Sequence, residues 1–113
     1  MVMPKVPKKF CIDSFEYREY LGHNRWDEPE YADPITINHC RIDRGAEYTS
    51  TTTGKQLLYN AIVFCYEGIT TPLPKFKVQS VIVFDDQEHV VTKVIPIYEA
   101  YDRNIYSYEL EVI

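Results

Sequence analysis

The closing stretch 105-IYSYELEVI-113 decides the fold. Tyr106, Tyr108, Leu110 and Val112 alternate with Ser107, Glu109 and Glu111, and a period of two belongs to a strand with one buried face. Upstream, β-branched residues occupy both faces of Thr92–Ile97 and of 80-SVIVF-84, the pattern of buried or central strands. Asp85-Asp86-Gln87-Glu88 reads as the hairpin turn between them, and Asp102-Arg103-Asn104 as the next turn. Pro96 has no N–H for a ladder, so it marks an edge or a bulge. The last third is thus a three-stranded meander.

Earlier segments extend the same reading. In 56-QLLYNAIVFCYEG-68 the apolar runs fit helix or strand, but Ile62, Val63, Phe64 and Tyr66 favour a strand, which Gly68 ends. The stretch 35-ITINHCRID-43 alternates with a phase change at Asn38–Cys40, as a bulge produces. One or two short strands fit 10-FCIDSFEYREYLG-22. No segment carries an amphipathic helical stripe. The expected fold is all-β, a small β-barrel or sandwich of about six or seven strands with long loops. The 113 residues read as a single domain, residues 1–113, in which 1–9 form a flexible tail.

Composition bounds the function. Hydrophobic residues make up 45% and charged residues 26%, so the chain can bury a core without staples. Ten Tyr, five Phe and one Trp favour sheets and contact surfaces. Cys11, Cys40 and Cys65 are odd in number with no CxxC pair, which fits reduced, buried thiols. The basic start MVMPKVPKKF leads into no apolar signal core, and no window reaches the length of a membrane span. A net charge of −5 argues against a dedicated nucleic-acid binder.

No catalytic constellation stands out. His39 and Cys40 are neighbours, so a strand sends them to opposite faces. His23, His39 and His89 lack zinc-ligand spacing. The pairs Asp27-Glu28 and Asp85-Asp86 read as a solvated loop and a hairpin turn, and no cofactor motif is present. Three connections are long for so small a chain: Gly22–Pro34, Arg44–Lys55 and Ile69–Lys75. The second, rich in Thr, has little to anchor it and is expected to be mobile. The first holds Trp26 among charged residues and prolines. Its indole either caps an open end of the sheet or inserts into a neighbouring subunit.

The order of these features resembles the small minor capsid proteins encoded among tailed-phage head genes, and more loosely the head-closure (stopper) proteins of long-tailed phages. The resemblance is carried by PKVPKKFCIDSFEYREYLG, RWDEPEYADPITINHCRIDR, NAIVFCYEGITTPLPKFKVQSVIVFDDQEHVVTKV and YDRNIYSYELEVI, which together span nearly the whole chain. It implies a structural virion protein of a phage or prophage, made in the host cytoplasm and placed at the head–tail interface. There such proteins form a homo-oligomeric ring between the portal or adaptor and the tail-completion proteins. The ring retains packaged DNA, which passes through without tight binding, and no enzyme activity or cofactor is implied. Trp26, Asp27 and Tyr31 then belong to a partner-docking loop that orders on assembly of a protein otherwise monomeric. Tyr48, Thr49, Ser50, Thr51, Thr52 and Thr53 form the candidate channel-facing loop. Alternatives are a tail-terminator or tail-completion protein, a capsid decoration protein, or a small-barrel enzyme or carrier.

Overall fold

The computed structural model describes residues 7–101 and 103–113. Eight strands run β1 (Asp13–Arg18), β2 (Tyr20–His23), β3 (Pro29–Tyr31), β4 (Ile35–Thr51), β5 (Gly54–Tyr66), β6 (Val81–Phe84), β7 (Gln87–Tyr98) and β8 (Ile105–Val112). Six of them close a barrel in the order β1-β4-β5-β8-β7-β6, every neighbouring pair antiparallel, while β2 and β3 form a separate ribbon. The fold is all-β, and barrel closure removes the open edges that a sandwich would leave. The predicted tail lies outside the described residues as far as residue 6. Its remainder leads into a single 3₁₀ turn at Lys8–Phe10.

Alternation builds the core. Phe15 and Tyr17 of β1, Ala61, Val63 and Cys65 of β5, and Tyr108, Leu110 and Val112 of β8 point inward, joined by Ile37, Cys40, Ile42, Ile82, Phe84 and Val91. Ile37, Ile82, Leu110 and Val63 are fully buried. Removing several methylenes at any of these would cost about 2–5 kcal/mol, since a closed barrel collapses poorly around a cavity. The phase change in β4 is present. Asp13 opposes Cys40 but Ser14 opposes Asn38, so His39 is the extra residue, held at φ +59°. His39 is exposed and Cys40 buried.

Several expectations need correction. Arg44–Lys55 is not a loop but the outer half of a long hairpin: β4 and β5 stay paired from Glu47–Tyr59 to Thr51–Gly54. Only Thr52 and Thr53 turn, and the Thr51 hydroxyl holds the turn by donating to the Gly54 carbonyl at 3.0 Å. Gly54 takes φ +140°, where a side chain would be strained. Threonine is a good strand former when its neighbours are paired, and composition alone hides that partner. Gly22–Pro34 likewise holds the end of β2, the turn and all of β3 in the β2–β3 ribbon. The third connection is longer than expected, from Glu67 to Ser80.

The turn after β6 uses Asp85 and Asp86 alone, both at positive φ (+53° and +59°), while Gln87 and Glu88 already pair in β7. Thr92–Ile97 is not a buried central segment, because its residues are exposed or half-buried. β6 is only four residues long and pairs no further than Val90, so the second half of β7 has a strand neighbour on one side only. Pro96 sits on that edge, as its missing donor requires. Tyr106 is half-buried and meets Tyr66 edge-on, whereas Ser107 is buried. Of the turn expected at 102–104, Asp102 lies outside the described residues.

Antiparallel closure gives the barrel two distinct ends. One gathers the start of β1, the Asp85-Asp86 turn and the β4–β5 hairpin; the other gathers the β2–β3 ribbon, the 67–80 segment and the β7–β8 turn. The radius of gyration, 15.4 Å, exceeds the roughly 13 Å expected of a compact chain this long, because the hairpins project.

Candidate docking surfaces

The ribbon carrying Trp26 is built outward from the barrel floor. The Ser80 hydroxyl, fully buried, accepts from the Tyr20 amide at 3.0 Å and shares a 3.2 Å hydrogen bond with the Tyr17 hydroxyl. Tyr17 in turn accepts from the Lys77 amide at 3.0 Å, and Lys77 pairs with Glu19 at 3.2 Å. Above this base, Tyr20 meets both Tyr31 and His23 edge-on. Asn24 then shapes the tip: its side-chain oxygen accepts from the Trp26 and Glu28 amides at 2.8 and 3.1 Å, while Asp27 takes φ +60°. The Asn24 side chain thus closes the tip as a turn.

Trp26 is 65% exposed at this tip. Its contact is the Arg25 guanidinium, 4.1 Å from the ring centre, a cation–π stack that covers one indole face. Trp26 does not cap the barrel. Phe76 does so, 6% exposed, in contact with Tyr17 (5.1 Å), Tyr108 (5.5 Å) and Phe15 (6.3 Å). In sequence Phe76 stands between Lys75 and Lys77 and looks like part of a solvated loop. Its one signal was a lone large aromatic in a long connection with two prolines.

At the opposite end the β4–β5 hairpin leaves the barrel through a bulge. Arg44 opposes Ala61 and Glu47 opposes Tyr59, so Gly45 and Ala46 face Asn60 alone. Beyond it every β4 residue from Gly45 to Thr51 is exposed, including Tyr48, and so is Leu58. Arg44 clasps the root: its Nε and Nη2 donate to the Asp85 carboxylate at 2.6 and 3.2 Å, Nη2 also reaches Asp13 at 3.4 Å, and the guanidinium lies 5.7 Å from the Phe84 ring. The bidentate bond holds the Asp85 carboxyl below its usual range and raises Arg44. Phe84 stacks on His89 at 4.2 Å, and burial lowers the His89 pKa.

The residues singled out from the sequence thus divide between two surfaces. Trp26, Asp27 and Tyr31 share the ribbon at one end, and Tyr48 through Thr53 share the hairpin at the other. The cysteines lie between them and are suited to packing. All three are free and buried, and burial pushes Cys40 up to about 12 and Cys65 well above a normal thiol. Among the described residues no three His, Cys, Asp or Glu side chains converge as a metal site would need. No helix there is long and apolar enough to cross a membrane.

Comparison with known proteins agrees with an assembly role. A family model described as minor capsid protein matches residues 7–112. An uncharacterized ORF5 protein of Lactococcus phage LL-H is 26% identical over 80 residues, 68% of each chain. No solved structure matches. With the match running from the 3₁₀ turn to the end of β8, the chain belongs to the minor capsid protein family and is a structural, virion-associated protein of a bacteriophage.

Proposed function

We propose that this minor capsid protein is a head-closure subunit, forming a ring below the portal or adaptor that helps retain DNA and offers the tail its platform. The observation that carries the proposal is the pair of exposed hairpins at opposite ends of one closed barrel. A ring subunit needs one projecting element to grip a neighbour, another to face the channel, and a rigid body between them. The ribbon bearing Trp26, Asp27 and Tyr31 is the docking element. The hairpin tip, Tyr48 to Thr53, carries hydroxyls and no charge, and is the channel-facing element. An excess of acidic residues lets duplex slide past without adhering. In this role the protein performs no catalysis and takes no cofactor.

Immunogold labelling of particles tests the placement. Label at a single vertex, on the neck, is the expected result, whereas label over all capsid faces would mean a decoration protein. Deleting Thr49–Thr53 tests the role: particles should package DNA but leak it or fail to accept tails. Normal infectious particles from that deletion would overturn the channel assignment.

A further inference from the structure

Beside the second half of β7 lies an open groove of about 480 Å³, lined by Lys75, Phe76, Val94, Pro96, Ile105 and Tyr108, with Tyr98 on its border. It exists because β6 begins only at Val81, opposite Val90, leaving the edge of β7 uncovered from Thr92 onward. We infer that the groove receives the Trp26 tip of a second copy of this chain, so that neighbouring copies join tip to groove. This rests on the reading of the β2–β3 ribbon as a docking element and names its acceptor.

Shape and charge both favour this occupant. The tip offers one uncovered indole face, since Arg25 occupies only the other, and an aromatic face packs well on Phe, Tyr, Val and Pro surfaces. Around the indole, Asp27, Glu28 and Glu30 outweigh Arg25, giving the tip a net charge of −2. The one charged side chain lining the groove is a cation: Lys75 is exposed and without an ion pair among the described residues, Lys77 being the one bound to Glu19. The other projecting element, the Tyr48 hairpin, is neutral because Glu47 balances Lys55, so it lacks this complementarity. Pro96 on the edge opposes addition of a whole strand and leaves the groove to side chains. Tip and groove are different surfaces of one chain, so their contact is head-to-tail, the kind that closes into a ring when its rotation permits. The groove is shallow and open, which keeps the contact weak until a template aligns the copies.

Replacing Trp26 with the photoreactive aromatic p-benzoylphenylalanine tests the contact without disturbing the barrel. Irradiation of the concentrated free protein, followed by peptide mapping, should give chain-to-chain cross-links to Val94, Pro96, Tyr98 or Ile105. Lys75→Glu should lower their yield several-fold by turning attraction into repulsion. Cross-links to other surfaces of the second copy, including the Tyr48 hairpin, or none at the highest soluble concentration, would overturn the inference. Irradiated particles separate this failure from that of the broader reading. Cross-links there to a different virion protein would leave the ribbon a docking element but not for this groove, and none to any protein would remove both.

Discussion

The contrast between Phe76 and Trp26 gives the most direct test of how this barrel is closed. Truncating Phe76 to Ala removes a ring that is 94% buried by its 6% exposure. A phenylalanine buries up to about 200 Å², so roughly 190 Å² at about 25 cal/mol per Å² gives ~4.7 kcal/mol, within the ~3–5 measured for such truncations. Trp26, 65% exposed, hides only about a third of roughly 250 Å², a ceiling of ~2 kcal/mol. Much of that area is covered by the adjacent Arg25, a contact the unfolded chain also samples, so the net cost should stay near or below ~1 kcal/mol. Urea unfolding followed by far-ultraviolet circular dichroism separates the two. Phe76→Ala should lower the midpoint by roughly 2–3 M, given an m value of about 1.5 kcal/mol/M, while Trp26→Ala should move it by less than about 1 M. A Trp26→Ala loss equal to or larger than that of Phe76→Ala would refute the assignment of the cap and the docking role together.

Other consequences follow from single contacts. Ser80→Ala leaves the Tyr20 amide and the Tyr17 hydroxyl short of a partner and should cost about 1–3 kcal/mol in thermal or urea unfolding. Asp85 is depressed by its Arg44 bond, so its stabilising contribution is present above the ordinary carboxylate value of 3.8 and lost as pH falls through its lower folded value. Carboxyl carbon NMR should place its midpoint below that value and return it there in Arg44→Gln. Cys40 is raised from 9.0 to about 12, so the benefit of its buried neutral thiol is complete below pH 9 and declines as pH rises toward 12. Ellman's reagent at pH 8 should label none of the three thiols rapidly in the folded protein and all three in denaturant. Short duplexes should show no binding at physiological salt in a fluorescence titration, since twelve basic side chains face seventeen acidic ones; sub-micromolar binding that survives added salt would point to a gripping role.

The alternation of 105–113, the bulge at His39, the Asp85-Asp86 turn and the buried cysteines were all legible from local sequence, because side-chain period and turn chemistry are properties of a few neighbouring residues. That Trp26 sits in a segment of prolines and carboxylates was legible too. Whether its indole folds back on the barrel or projects was not, and the structure shows it 65% exposed. Tertiary structure decided what depends on distant partners. Thr49–Thr53 is loop-like by composition and becomes part of a hairpin only because residues 54–59 lie beside it. Thr92–Ile97 reads as a central strand, yet it is half-exposed because β6, far shorter, runs out of residues to cover it. Phe76 looks solvated between two lysines, and only closure of the barrel creates the opening that it fills. Local chemistry sets which residues form strands and turns, whereas barrel closure sets which of the remaining aromatics are core and which are left for a partner.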